Sequence, residues 1–278
     1  MQKTVDNIHV DASSKIVTID ATINKTPLRY QFLNEQIHRV IDDGYKNIVI
    51  KNVAGQRFIG AALVGDINIK IHGTPGNDLG IFMDGPSIEV FGNVEDQAGN
   101  TMNGGKIVIH GSARDVIGLS ARGGTIYVRG DGGYRCGVHI KQYQSKRPVF
   151  VFGGRVRDFF GEYMAGGILV ALGLNINEDG SFNVIKEHPV AGRSIGTGIH
   201  GGKIILARKA EEIPCDFLGT GTKVADLEED DIQDIKPILV DFCKAFGIDA
   251  ASILKLNYCK VIPLSKRPFA HNYCSKMV

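Results

Sequence analysis

The sequence predicts a mainly β protein: a right-handed parallel β-helix, a solenoid of about seven coils with one strand stacked per coil, with an α/β cap before it and a helical segment after it. Three observations predict this fold: an excess of glycine, a fixed period in where the glycines fall, and aliphatic side chains that recur in step with them. Glycine accounts for 35 of 278 residues, against the roughly 7% usual in globular chains. Twenty-four of the 35 lie between Gly60 and Gly173. Glycines that close successive units fall at Gly73, Gly92, Gly111, Gly130, Gly153 and Gly173, in steps of 19, 19, 19, 23 and 20 residues. A chain that repeats the same side chains in the same order at this spacing stacks one coil on the last.

The elements follow in chain order. Residues 1–50 form the cap, with strands at Ile16-Val17-Thr18-Ile19 and Ile48-Val49-Ile50 around an amphipathic helix that carries Leu33, Ile37, Val40 and Ile41. Such a cap is required because the open strand edge of a solenoid invites further stacking. Residues 51–207 form the β-helix. Two and four residues before each closing glycine stand Ile69/Ile71, Ile88/Val90, Ile107/Ile109, Ile126/Val128, Val149/Val151 and Leu169/Ala171, the period-two pattern of a strand with one buried face. A second glycine column follows at Gly80, Gly99, Gly118, Gly137 and Gly161. It is preceded by Leu79, Ala98, Ile117, Cys136 and Phe160, and followed three residues later by Met83, Met102, Ala121, Ile140 and Met164. The pairs Gly104-Gly105, Gly123-Gly124 and Gly166-Gly167 suit sharp corner bends where φ > 0 is needed and no Cβ is tolerated. After an interruption over residues 174–195, with a turn at Glu178-Asp179-Gly180-Ser181, the segment Gly201-Gly202-Lys203-Ile204-Ile205-Leu206 supplies a seventh coil. At about 4.8 Å per coil the prism stands roughly 30 Å tall. Residues 208–278 hold a helix over 224–247, with Ile232, Ile235, Ile238, Leu239 and Phe242 on one side and a kink expected at Pro237.

Two features of the repeat point to contacts beyond it. The fifth unit carries an insertion, Lys141-Gln142-Tyr143-Gln144-Ser145-Lys146-Arg147, expected as an exposed basic loop. The outward column of the last coils reads Phe150, Phe152, Val170 and Leu172, where earlier coils carry Lys70, Glu89 or Arg129. Something covers that side, either the C-terminal helix or another subunit. Lys141, Lys146, Arg147, Phe150 and Phe152 are therefore the candidate partner contacts.

Composition narrows the function classes. With 32 Lys and Arg against 30 Asp and Glu, the chain has no broad field for gripping nucleic acid or an anionic membrane. No stretch approaches eighteen apolar residues, and Met1-Gln2-Lys3-Thr4-Val5-Asp6 has no apolar signal core, so a cytoplasmic location is expected. Five cysteines, Cys136, Cys215, Cys243, Cys259 and Cys274, are never closer than fifteen positions, which writes neither a metal knuckle nor a disulfide frame. Gly196-Thr197-Gly198-Ile199-His200-Gly201 matches a dinucleotide pattern, but a strand rather than a helix follows it. His72 and His110 share an outward position two coils apart, with Phe91 between them, and read as surface histidines. Asp96, Asp115 and Asp158 recur before the second glycine, with Asn77 and Tyr134 interrupting the series, and read as turn caps. Cys136 falls in an apolar column and reads as a buried thiol. No catalytic, cofactor-binding or metal-binding residue is assigned.

Four segments carry a family likeness: Val53-Ala54-Gly55-Gln56-Arg57-Phe58-Ile59-Gly60, Asn103-Gly104-Gly105-Lys106-Ile107-Val108-Ile109, Gly133-Tyr134-Arg135-Cys136-Gly137-Val138-His139-Ile140-Lys141 and Gly161-Glu162-Tyr163-Met164-Ala165-Gly166-Gly167. They resemble the C-terminal β-helix domain of the glutamate synthase large subunit over roughly residues 33–207, and Lys260-Val261-Ile262-Pro263 is similar to that domain's tail. The resemblance implies a chain that assembles with a flavin-binding, iron–sulfur-containing synthase subunit and a glutaminase subunit, with no cofactor of its own. Assembly with further copies of itself stays open. The same repeats occur in the C subunit of formylmethanofuran dehydrogenase, the alternative reading. An autonomous β-helix lyase or esterase is a third reading, and it needs a cluster of acids and bases on one outer face.

Overall fold

The computed structural model describes residues 7–264 of the chain. Strand β1 (Ile8–Asp11) turns back antiparallel onto β2 (Ile16–Asp20). A small hairpin, β3 (Thr22–Ile23) and β4 (Thr26–Pro27), leads into helix α1 (Tyr30–Asp42). The coil strands follow as β5 (Asn47–Ala54), β6 (Asn68–Thr74), β7 (Ser87–Phe91), β8 (Lys106–Ile109), β9 (Thr125–Val128), β10 (Val149–Phe152) and β11 (Ala165–Ala171). A second hairpin, β12 (Leu174–Ile176) and β13 (Phe182–Val184), turns through Asn177 to Ser181. The last elements of the described residues are β14 (Gly201–Leu206), β15 (Thr222–Asp226), α2 (Glu229–Phe246), α3 (Ala250–Leu254) and β16 (Cys259–Pro263).

One continuous ladder runs β2, β5 to β11 and β14, every neighbour parallel. The seven strands expected from the repeat are β6 to β11 and β14, and the two strands of the cap extend the same stack. Ile69, Ile88, Ile107 and Ile126 lie directly over one another, as do Ile71, Val90, Ile109 and Val128. The other two inward columns are equally closed: Ala98, Ile117, Cys136 and Phe160, and Met83, Met102, Ala121, Ile140 and Met164, are all without solvent exposure. Helix α1 lays Leu33, Ile37 and Val40, an i, i+4, i+7 stripe, on the N-terminal end of this core. At the other end β16 pairs antiparallel with β14 and brings Cys259 and Val261 into the core, and β15 pairs with β16.

The register of β10 departs from expectation by one residue. Phe150 aligns with Ile126 and Leu169, and Phe152 with Val128 and Ala171. The Gly154 N–H donates to Gly130 O, and the Gly173 N–H to Gly154 O, both at 2.9 Å. Gly154, not Gly153, therefore closes that coil, and the insertion before it is five residues long. The phenylalanines are accommodated inside because glycine faces them: a Cβ on Gly118 would stand 2.1 Å from the Phe150 ring, and one on Gly132 2.6 Å from Phe152. A one-residue shift moves every side chain of a strand to the other face. Phe150 and Phe152 are thus fully buried core residues rather than partner contacts, and Val149 and Val151 take the outward positions.

What covers the outward side is α2. Val151, Val170, Leu172 and Ile205 form a second core with Ile235, Ile238, Leu239, Phe242, Cys243 and Phe246. Pro237 lies inside α2, which continues past it. Ile232, expected on the packed side, is 44% exposed. The buried position of that turn is Asp231, which meets the Nζ groups of Lys203 and Lys260, each at 2.6 Å.

Candidate functional site

Two of the segments that carry the family likeness, 133–141 and 161–167, lie on adjacent coils and meet along one edge. At this edge alternate residues adopt the left-handed conformation, as in Arg135, Gly137 and His139 (φ 56°, 74° and 57°) and, one coil on, Phe159, Gly161 and Tyr163 (φ 64°, 70° and 53°). The outer two of each triplet donate their N–H groups to the next coil: Arg135 to Asp158 O at 2.9 Å and His139 to Glu162 O at 2.9 Å. The middle position must be glycine, since a Cβ on Gly137 would stand 2.5 Å from Leu169 inside the core. The edge thus displays the side chains of positions 135, 139, 159 and 163 while its glycines seal the interior.

Arg135 and Glu162 form an ion pair there. Glu162 is 5% exposed, and Arg135 Nη1 donates to its Oε2. The same guanidinium lies over the Phe159 ring, 4.5 Å from its centroid. His139 stacks on Tyr163 with centroids 5.1 Å apart and planes at 20°. Behind this surface Cys136 and Met164 are buried. Burial pushes the Cys136 thiol up to about 12, so it is neutral and unreactive across the physiological range. Chemically, the arrangement pairs its one buried carboxylate internally and faces outward with a cation and aromatic rings.

The remaining sequence candidates are spent on building the stack. Gly198 leaves room for Tyr163, whose ring atoms would lie 2.4 Å from a Cβ there, and β14 begins at Gly201, so the Gly196 to Gly201 motif is a coil corner. The aspartates stitch coil to coil: Asp96 Oδ1 accepts the Asp115 N–H, Asp115 Oδ1 the Tyr134 N–H and Asp158 Oδ1 the Arg193 N–H, at 3.2, 2.9 and 2.8 Å. His72 and His110 are more than surface histidines. Each stacks on Phe91, at 4.8 and 4.6 Å, and His110 also meets Phe246 of α2 edge-on and Glu89 at 3.0 Å. In the basic loop Lys141 is exposed, but Lys146 binds Asp84 at 2.9 Å and Arg147 reaches Asp234 of α2 at 3.3 Å.

The corner glycines Gly73, Gly80, Gly92, Gly99, Gly104, Gly105, Gly111, Gly118, Gly123, Gly124, Gly130, Gly137, Gly161, Gly166, Gly167 and Gly173 all sit where a Cβ would come within 3.1 Å of another atom. Burial also pushes the Cys243 thiol up to about 11 and the Cys259 thiol up to about 12. Cys215 is exposed, and Cys274 lies outside the described residues, as do Met1 to Asp6. No three His, Cys, Asp or Glu converge as a metal site among the described residues, and none of their helices is long and apolar enough to cross a membrane.

Reasoning from the sequence missed the Arg135–Glu162 pair and the Lys203–Asp231–Lys260 clamp. The left-handed column reads Gln97, Val116, Arg135 and Phe159, which share no chemistry, so no periodic signal marks it.

Comparison with known proteins adds two findings. The family model described as "GXGXG motif" matches residues 31–264. A protein of Methanocaldococcus jannaschii, itself described as uncharacterized, is 48% identical over 260 residues, covering 91% of this chain and 96% of that protein.

Proposed function

From the premise that the chain belongs to the GXGXG motif family, we propose that it is a non-catalytic assembly subunit of a glutamate synthase complex. In this reading partner subunits supply the flavin, the iron–sulfur cluster and the glutaminase that convert glutamine and 2-oxoglutarate into two glutamates. The observation that carries it is the fate of the motif residues themselves. Glu162 is neutralised by Arg135, Cys136 and Met164 are core, and the glycines are corners. Groups buried and paired in this way hold a fold together. Chemistry would need a nucleophile or acid free to meet a substrate.

The test is affinity capture of the tagged chain from its native cells. A flavin-containing synthase and a glutaminase are expected in the eluate in stoichiometric amounts. Recovery of the chain alone, or with subunits of a metal-cofactor formyl-group dehydrogenase, contradicts the proposal.

A further inference from the structure

A face of the solenoid adjoining the motif edge carries its own signal. We propose that the groove along it is an oxyanion site, in which a carboxylate or phosphate group is held between the guanidinium groups of Arg155 and Arg157. The cavity, about 780 Å³, is bounded by the corners of four successive coils, and Gly132, Gly133 and Gly192 leave part of its wall bare of side chains. Val156 is buried at 3% exposure, so strand alternation sends Arg155 and Arg157 outward on the same side, with Cα atoms about 7 Å apart.

Arg155 forms a loose ion pair with Asp131, but neither guanidinium donates a hydrogen bond among the described residues. Arg155 Nη2 stands 3.8 Å from Asp131 Oδ2, beyond hydrogen-bond reach, and its Nε–H is buried with no acceptor among the described residues. Arg157 rests over the Tyr134 ring, 5.6 Å from the centroid, with no carboxylate within ion-pair distance among the described residues. Arg114 on the far wall is by contrast committed to Glu95 at 2.9 Å. A donor left unpaired out of water is costly. A small turn of Arg155 away from Asp131 offers its Nε–Nη2 edge as a fork that fits two oxygens of one oxyanion, and Arg157 closes from the other side.

The groove also holds Asp115, Asp131, Asp158 and His188. One oxygen of each aspartate accepts a backbone N–H, of Tyr134, Arg155 and Arg193 respectively. These carboxylates offset the arginines, so the site attracts no ligand at long range and recognises an oxyanion by short hydrogen bonds.

The experiment is calorimetric titration of the full chain at constant ionic strength with pyrophosphate in one arm, succinate in the other and chloride as the control. The two arms separate a phosphate site from a carboxylate site. Saturable binding of either probe is expected, weakened roughly tenfold by Arg155→Gln or Arg157→Gln and unchanged by Arg122→Gln on another corner. Arg157 is exposed, so its variant carries the test even if the Arg155 variant fails to fold. No saturable binding of either probe up to about 20 mM, or binding indifferent to the arginine substitutions, overturns the proposal. The outcome is independent of whether the chain captures synthase partners.

Discussion

At the scale of single residues, glycine is required here for two separable reasons. Gly118 (φ 69°) is left-handed, and a Cβ there would lie 2.1 Å from Phe150. Gly221 (φ 83°) is left-handed with nothing within 4 Å. Gly118→Ala is therefore expected to cost about 3 kcal/mol, conformational strain plus overpacking, and Gly221→Ala about 1 kcal/mol, strain alone. Urea denaturation midpoints of the two variants check the difference.

Asp231 is the polar counterpart. Burial alone would raise its pKa, but hydrogen bonds from Lys203 and Lys260 outweigh burial and bring it down to about 2 from the ordinary 3.8. Because the folded value lies below the unfolded one, this contribution, about 2 kcal/mol, is complete above roughly pH 4 and is lost as pH falls through about 2. Asp234, where the ion pairs with Lys203 and Arg147 likewise outweigh burial, is shifted in the same direction. Asp231→Asn is expected to destabilise by about 3 kcal/mol at neutral pH and to flatten the acid limb of a stability-against-pH curve.

At the scale of elements, α2 is a lid on the outer face rather than part of the coil stack. Phe242 is fully buried against Tyr127 and Phe246, with ring centroids at 5.5 and 4.9 Å. Phe242→Ala is expected to cost about 4 kcal/mol. By hydrogen exchange, the α2 amides should lose protection while those of β7 to β9 keep theirs, since the inner columns do not touch Phe242. The elements were unevenly legible in the sequence. Coils β6 to β9 and β11 could be read residue by residue because glycine spacing and aliphatic columns agree there. Coil β10 could not, because Gly153-Gly154 offers two closing positions and Val149-Phe150-Val151-Phe152 is apolar on both faces. The seven-residue step from Gly154 to Gly161 was the one clue to its register. The helix α2 was legible as an amphipathic stretch, but its first turn was not: a buried aspartate makes sense only once Lys203 and Lys260, far away in sequence, are in place.

At the scale of the whole molecule, parallel coils align like side chains into inner columns, and the cap helix α1 and the strands β16 and β15 close the two ends. Much of this was written in the repeat, because a stack enforces the same residue type at the same position in each turn. The candidate site was less legible. Its conspicuous glycines were readable as corners, whereas the pairing of Arg135 with Glu162 spans the insertion and leaves no trace in the period.

In the proposed function, the shared motif residues build the scaffold of an assembly and perform no step of its chemistry. The most direct measurement is glutamate formation per assembled complex, reconstituted from purified synthase and glutaminase subunits with either the wild-type chain or its Glu162→Gln variant. The expected result is fewer complexes, because the variant is less stable, with kcat per complex unchanged. A fully assembled complex whose kcat falls by roughly a hundredfold or more would contradict the claim, because Glu162 would then be acting on the reaction itself.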